Sequence, residues 1–128
     1  MSYLAAKQRY VSDATETVSP GRLVTMLYDR LVSDLMTAED ALRRGDIEVT
    51  GNRLAHAQEI LLELHSTLDT TIWPAGEGLA SLYTWMVAEL MRARLQNEPQ
   101  RVADCRELIE PLRDAWHQAQ EALSQQSA

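Results

Sequence analysis

The chain contains few of the residue types that mark secreted, membrane-spanning or nucleic-acid-binding proteins. It has one cysteine, no phenylalanine, and 12 lysines and arginines against 19 aspartates and glutamates, which gives a net charge of −7. Cys105 has no second cysteine to pair with, so an internal disulfide is excluded and a reducing compartment is indicated. The acidic excess leaves no extended basic patch for nucleic-acid phosphates or an anionic lipid surface. We therefore expect no nucleic-acid partner.

Long hydrophobic runs are also lacking. No stretch approaches the roughly 20 apolar residues that a membrane span requires. The opening "MSYLAAKQRY" does not resemble a secretory signal. These absences predict a cytoplasmic protein without membrane insertion. The hydrophobic content of 45% over 128 residues is nevertheless sufficient for the core of one domain.

A first helix is predicted over residues 20–44. Ser19 suits the N-cap because its hydroxyl accepts a backbone N–H, and Pro20 suits the first helical position, where no N–H is needed. Gly45 follows two arginines and is a typical helix stop. The apolar residues of this helix recur at helical spacing and are Val24, Leu27, Leu31, Leu35, Ala38 and Leu42.

A second helix is predicted over residues 46–69, with Asp46 as its N-cap. Its apolar residues follow alternating three- and four-residue steps, which are typical of a helix in a bundle. The segment "TTIWPAGEG" then ends the pattern, because Pro74 and the glycines around it resist a helical continuation. The apolar residues of this second helix are Ile47, Leu54, Ala57, Leu61, Leu64 and Leu68, and the polar Thr50 falls at the same spacing.

Two further helices are predicted over residues 77–96 and 98–123, separated by "NEP". The fourth helix keeps a strict heptad spacing across Pro111, where a backbone hydrogen bond is lost and a kink is expected. The third carries a wide stripe of Leu79, Leu82, Tyr83, Met86, Val87, Leu90 and Met91. The heptad residues of the fourth are Val102, Cys105, Ile109, Leu112, Trp116, Ala119 and Leu123.

These four helices predict an all-α fold, because no segment alternates for long at the two-residue period of a strand. Short connections between successive helices make them antiparallel neighbours, so residues 20–125 are expected to form an up-down-up-down four-helix bundle. Residues 1–19 form a polar, threonine-rich leader that does not continue the helical pattern. We expect this leader to be a flexible N-terminal cap segment.

No catalytic, cofactor-binding or metal-binding residues are expected. Di-iron bundles repeat a Glu-x-x-His pattern on two helices, and only Asp114-x-x-His117 comes near it. The three histidines are therefore interpreted as solvated or rim residues. Cys105 falls on a core position of the fourth helix, which favours a small buried hydrophobe over a nucleophile. Because no nucleophile motif or phosphate-binding loop is present either, the chain is not predicted to be an enzyme, with a cofactor-binding bundle as the alternative.

Apolar residues also occur outside the main stripes. A bundle helix can use a second apolar flank to touch two neighbours, or the extra residues can form a groove for an apolar helix of another chain. A structural dimer that uses the same surface is a further alternative. Residues 1–18 are placed to cover such a groove when it is empty. The residues outside the main stripes are Leu23, Met26, Val32, Met36, Ala55, Leu62, Leu108, Ala115 and Ala122.

The order and spacing of several short motifs resemble the FliS family of flagellar export chaperones. The motifs are a tyrosine at position 10, "SPGRLVTMLYDRL" at 19–31, "RRGDIE" at 43–48, "AQEILLELHSTLD" at 57–69, "LYTWM" at 82–86, "NEP" at 97–99 and "LRDAW" at 112–116. The resemblance implies an antiparallel four-helix bundle whose N-terminal segment folds over a hydrophobic surface. That expectation agrees with the fold predicted independently from periodicity.

The resemblance also implies a function and a partner. Proteins of this family bind the disordered C-terminal segment of flagellin, prevent its premature polymerisation and assist its export by the flagellar type III secretion system. Components of the export apparatus are further candidate partners, and the empty protein is expected to be a monomer or a weak dimer. By resemblance, Tyr10 belongs to the cap, while Leu27 and Tyr28 lie under it. The groove is expected on the second, third and fourth helices, with Leu62, Tyr83, Met86, Leu108 and Trp116 as its candidate residues. Burial in the ordinary core is the alternative for each of them, and the heptad position of Trp116 favours the core, with at most an edge at the groove.

Overall fold

The structure is a computed structural model that describes residues 19–68 and 76–127. These residues form four α-helices and no strand. The helices are α1 (Pro20–Arg44), α2 (Ile47–Thr67), α3 (Gly76–Gln96) and α4 (Pro99–Ser127), against expected bounds of 20–44, 46–69, 77–96 and 98–123. The expected cap, with Tyr10, lies outside the described residues.

The first two helices are bounded by the capping residues that the sequence predicts. The Ser19 hydroxyl accepts the backbone N–H of Arg22 at 3.2 Å, and Pro20 occupies the first helical position. Gly45 adopts a left-handed φ of 76°, which ends α1 at little steric cost because glycine has no Cβ. The Asp46 carboxylate then accepts the backbone N–H of Val49 at 3.1 Å and starts α2. Only two residues therefore connect α1 to α2.

Side-chain contacts between α1 and α4 show that these helices run in opposite directions. Arg106 on α4 binds Glu39 near the end of α1 at 3.3 Å, whereas His117 further along α4 binds Asp29 near the start of α1 at 2.7 Å. Each helix packs against two neighbours, so that α1 contacts α2 and α4, and α3 contacts the same two helices. This ring confirms the predicted antiparallel four-helix bundle.

The core follows the predicted stripes along the middle of the bundle and departs from them at its ends. Val32 lies outside the predicted stripe but is buried, because α1 packs on two sides. Ile47 and Leu123 are predicted core residues but are 79% and 55% exposed, and each lies near a helix end. The largest fully buried apolar side chains are Tyr28, Leu31, Leu35, Leu54, Ile60, Leu61, Leu64, Met86, Leu90, Ile109 and Val102.

One carboxylate lies entirely within this core. Asp34 on α1 is fully buried, and its two oxygens contact Arg53 at 3.2 Å and His56 at 2.5 Å, both on α2. Burying a carboxylate is costly unless it is paired and hydrogen-bonded, and these two contacts provide the pairing. His56 is therefore a rim histidine attached to a buried acid. The apolar periodicity gives no sign of this cluster.

The fourth helix continues through Pro111, as the predicted heptad spacing requires. Its first half is buried at Val102, Cys105 and Ile109, while its last turns are exposed. Within residues 19–68 and 76–127, none of the helices is both long and apolar enough to cross a membrane.

Candidate partner-binding surface

The two ends of the bundle differ in how the helices are connected. At the turn end, two tight connections join α1 to α2 and α3 to α4, at Gly45–Asp46 and at Asn97–Glu98. At the opposite end, which we call the open end, α1 begins after Ser19, α2 stops at Thr67 and α3 begins at Gly76. The side chains of all four helices meet there around a shared pocket.

This open-end pocket has a volume of about 330 Å³ and an apolar lining. Its walls come from the first turns of α1, the last turn of α2, the start of α3 and one aromatic ring of α4. The polar groups among them are few, so the pocket suits an apolar side chain better than a charged one. The lining residues include Leu23, Val24, Leu27, Leu64, Leu68, Leu79, Tyr83 and Trp116.

An aromatic cluster forms the inner wall of the open-end pocket. The hydroxyl groups of Tyr28 on α1 and Tyr83 on α3 are hydrogen-bonded to each other across the bundle. The Trp116 ring lies against Tyr28, with ring centroids 6.4 Å apart and an interplanar angle of 31°. Burial raises the pKa of both tyrosines, so both stay neutral at physiological pH. The cluster therefore gives the pocket a firm, uncharged wall.

The open-end pocket brings together four of the expected site residues. Leu27, Tyr83 and Trp116 line it, and Tyr28 lies fully buried behind it in contact with Tyr83 and Trp116. Met86 is also fully buried, so in this structure it supports the core and does not reach the surface.

The remaining expected residues lie elsewhere. Leu62 on α2 and Leu108 on α4 are exposed to 58% and 46%, and neither lines the open-end pocket. Tyr10 falls outside the described residues. The structure therefore divides the expected site into a pocket at one end and exposed apolar residues along the sides.

Sequence reasoning missed exposed apolar residues on α3. Trp85 is 42% exposed, Met91 54% and Leu95 77%. The wide stripe of the third helix was a signal for them, because one core-facing stripe does not need so many apolar positions. Trp85 lies outside even that stripe and faces solvent on the helix that adjoins Leu108.

The exposed residues of α2 and α3 belong to one surface. Gln58 on α2 donates a hydrogen bond to the Val87 carbonyl at 3.0 Å, and Arg94 approaches Gly51, so these positions mark where the two helices meet. Residues three or four positions apart share a helix face. The face that includes these contacts, which we call the α2–α3 face, carries Ala55, Leu62, Met91 and Leu95.

The described part of the chain contains neither an activated nucleophilic cysteine nor a cluster of metal ligands. Cys105 is fully buried, and burial raises the pKa of its thiol to about 12, so it stays protonated at neutral pH. No group of three or more His, Cys, Asp and Glu side chains in residues 19–68 and 76–127 is arranged to hold a metal ion. What the described surface offers is apolar area suited to another polypeptide.

Comparison with known proteins points to one family. The family model described as "Flagellar protein FliS" matches residues 2–123. Proteins described as "Flagellar secretion chaperone FliS" are similar over most of the chain. The protein from Bacillus subtilis (strain 168) is 30% identical over 110 residues, covering 86% of this chain and 82% of the relative. The protein from Vibrio cholerae (serotype O1, strain El Tor Inaba N16961) is 31% identical over 118 residues, covering 91% and 87%.

A third relative and a solved structure agree with these matches. The Salmonella typhimurium (strain LT2) protein of the same description is 32% identical over 118 residues, covering 89% of this chain and 86% of the relative. A crystal structure of a flagellar chaperone from bacteria superposes with a TM-score of 0.74 at 21% identity, covering 93% of this chain and 98% of that one. The structural match supports the fold alone, whereas the sequence matches show to which family the chain belongs. The chain therefore belongs to the FliS family of flagellar secretion chaperones, which are not enzymes and act in flagellar export.

Proposed function

We propose that this protein is a cytoplasmic chaperone that binds the disordered C-terminal segment of flagellin. The bound segment is withheld from polymerisation until the flagellar type III secretion system receives it. The observation that carries the proposal is the apolar surface of this chain, which belongs to a family of secretion chaperones. This surface consists of the open-end pocket, the α2–α3 face and the exposed Leu108 and Trp85.

The size of this surface suits a client that folds as it binds. Fully burying a leucine or methionine side chain contributes about 1.5–3 kcal/mol, and Leu62, Met91 and Leu95 each have more than half of their side chain available. Several such contacts together exceed the roughly 2–5 kcal/mol that ordering a disordered segment costs. Methionine side chains also adapt their shape to a partner, which favours an elongated, partly irregular client.

The proposed site residues have distinct roles in this arrangement. Leu62 and Leu108 contact the client directly, because they are exposed on α2 and α4. Leu27, Tyr83 and Trp116 present the open-end pocket, while Tyr28 and Met86 hold its shape from the core.

The N-terminal segment is proposed to compete with the client for the open-end pocket. Residues 1–18 join the bundle at Ser19, directly before Pro20 in the wall of that pocket. Tyr10 and Val18 are the apolar residues proposed to anchor this cap. A covering segment of small net stability shields apolar surface in the empty protein, and the client displaces it.

Titration calorimetry with the isolated C-terminal segment of flagellin tests the binding function. We expect a complex of equal stoichiometry with a dissociation constant at or below micromolar concentration. Leu62→Ser should weaken binding, whereas Met36→Ser on α1, at 55% exposure against 58% for Leu62, is the matched control and should not. An absence of heat and of co-elution with the wild-type protein would remove the proposal. Size measurement across a dilution series, with and without the segment, separates client binding from a structural dimer.

The cap is tested separately by deleting residues 1–18. Removal of a competing segment should raise the affinity for the flagellin segment or increase the binding of a dye specific for apolar surface. If neither quantity changes, the covering role of residues 1–18 is wrong while client binding stands.

A further inference from the structure

A second pocket lies at the turn end, away from the open-end pocket. It has a volume of about 450 Å³ and is bordered by Leu42, Asp46, Ile47, Thr50, Arg94 and Leu95, among others. Ile47 and Leu95 are the most exposed large apolar residues of the described chain, at 79% and 77%. Neither residue contributes appreciably to the core, so the packing of the bundle does not account for them.

A glycine in α2 places Arg94 beside this turn-end pocket. Gly51 lies inside α2, where glycine is among the least favourable residues for a helix. A Cβ atom built on Gly51 would lie 2.9 Å from Arg94 Nη2 and 3.2 Å from its Cζ. The missing side chain therefore leaves a space on α2 that the Arg94 guanidinium occupies. The presence of Gly51 in the middle of a helix is thus explained by the space that it provides for Arg94.

Arg94 differs from the other arginines near the turn end. Each of the others is paired with a carboxylate, at contacts of 2.8–3.2 Å, and these arginines are Arg43, Arg44, Arg92 and Arg101. Arg94 forms no ion pair with any residue in 19–68 or 76–127. Asp46, the carboxylate of the same pocket, accepts the Val49 backbone N–H as the N-cap of α2. The Arg94 guanidinium lies over Gly51 beside apolar side chains, so its hydrogen-bond donors are available to a ligand.

The turn-end pocket continues the α2–α3 face. Ile47 and Leu62 are 15 residues apart in α2, which corresponds to about 22 Å along the helix axis. The small residue Ala55 between these two ends allows another helix to approach closely, because few atoms stand between the two axes. A bound helix of about 15 residues would thus extend from Leu62 to Arg94.

We propose that the turn-end pocket anchors one end of the bound client helix through a carboxylate. Arg94, seated on Gly51, binds an aspartate or glutamate of the client, and an adjacent apolar client side chain enters between Ile47 and Leu95. The planar guanidinium offers two parallel donors to a carboxylate, so this contact selects an acidic residue at a fixed position along the client helix. Arg94 is then a specificity residue of the chaperone, and the inference rests on the proposed binding of flagellin.

The test compares two arginine variants in calorimetric titrations with the flagellin C-terminal segment. Arg94→Ala should weaken binding about tenfold, because a charge-assisted hydrogen bond is lost. Arg30→Ala is the matched control, since Arg30 is also exposed and forms no ion pair in the described chain, but lies on α1. Gly51→Ala should weaken binding as well, because its Cβ displaces the guanidinium, while thermal unfolding of the free protein should show no loss of stability.

A double-mutant cycle identifies the client carboxylate. Each acidic residue of the flagellin segment is replaced in turn by its amide, and one replacement should weaken binding to the wild type but not to Arg94→Ala. If the wild type binds the segment and Arg94→Ala behaves as Arg30→Ala does, the anchor is wrong and the chaperone function stands. If the wild type does not bind the segment, the proposed function itself fails.

Discussion

The helices α1 and α3 lie in the same bundle and carry apolar residues at the same period, but they use them differently. α1 packs closely on both α2 and α4 and buries two polar side chains, Thr25 and Asp34, along with its apolar stripe. α3 packs less extensively on the same neighbours, buries one polar side chain, Glu89, and leaves three large apolar side chains exposed, against the two methionines that α1 exposes. The difference is consistent with our proposal that part of the apolar surface of α3 contacts a partner, whereas most of α1 serves the core.

The largest effect that tests this comparison is expected in the core of α1. Leu31 is fully buried, so Leu31→Ala should lower the free energy of unfolding by about 2–5 kcal/mol through lost contacts and the cavity that remains. Urea denaturation followed by circular dichroism measures this loss. A loss below about 1 kcal/mol would show that α1 is not the tightly packed member of the pair.

Alkaline pH should lower the free energy of unfolding through the two buried tyrosines that connect α1 to α3. Burial raises the pKa of Tyr28 and Tyr83 above the ordinary value of 10.0, so both remain protonated in the folded protein after the unfolded chain has begun to ionise. Their stabilising contribution is complete below pH 10 and declines as pH rises further, with a slope that approaches about 1.4 kcal/mol per pH unit for each group well above pH 10.

Unfolding free energies of wild type and Tyr83→Phe, measured from about pH 8 to about pH 11, check this dependence. Cys105 adds to the wild-type decline above its ordinary pKa of 9.0 and is present in both proteins. The variant should therefore lose less stability than the wild type over this range. Parallel pH profiles for the two proteins would contradict the buried, neutral state of Tyr83.

The C-terminal ends of α1 and α3 provide a smaller, matched test. α1 ends at Gly45 with φ of 76°, and α3 ends at Asn97 with φ of 55°, so both use the left-handed region. Gly45→Ala should cost about 1 kcal/mol, because a Cβ atom is disfavoured in this conformation. Asn97→Gly should change stability by less than about 0.5 kcal/mol, since asparagine already tolerates the region. Thermal unfolding of both variants measures the contrast, and a costly Asn97→Gly would show that the Asn97 side chain itself holds the turn.

The smallest effect on stability is expected on the exposed side of α3. Leu95 is 77% exposed, so Leu95→Ala should change the free energy of unfolding by no more than about 0.5 kcal/mol. The same variant should weaken binding of the flagellin segment several-fold, because the client loses an apolar contact. An unchanged affinity would remove Leu95 from the proposed surface and reduce the difference between α3 and α1.

The features that the sequence predicts correctly are those that depend on local chemistry. Ser19, Gly45 and Asp46 act as capping residues in the structure as expected, because capping needs only the residue and its adjacent backbone. The apolar period likewise locates the core of each helix in the middle of the bundle. Ile47 and Leu123 lie at core positions of this period but are exposed, because periodicity does not show where the neighbouring helices end.

The candidate site was less accessible from the sequence because it is assembled from several helices. Tyr83 and Trp116 were expected to take part, but their position in one pocket depends on how α3 and α4 are aligned with α1. The α2–α3 face depends on which residues the neighbouring helix leaves uncovered, so Leu95 was not identified, and the exposure of Trp85 elsewhere on α3 was missed for the same reason. Asp34 was missed for the opposite reason, since a polar residue in an apolar stripe looks like surface until its partners on α2 are known.

The contacts of Asp34 also determine the register of the bundle. Stripes of leucine and alanine are alike from turn to turn, so sliding α2 along α1 by one turn, about 5.4 Å, would still match apolar residues with apolar residues. The same slip would separate the Asp34 carboxylate from Arg53 and His56 and leave a buried charge unpaired, at a cost of several kcal/mol. The fully buried Asp34 thus excludes sequence-similar misalignments and keeps the distant α2–α3 face in a single arrangement.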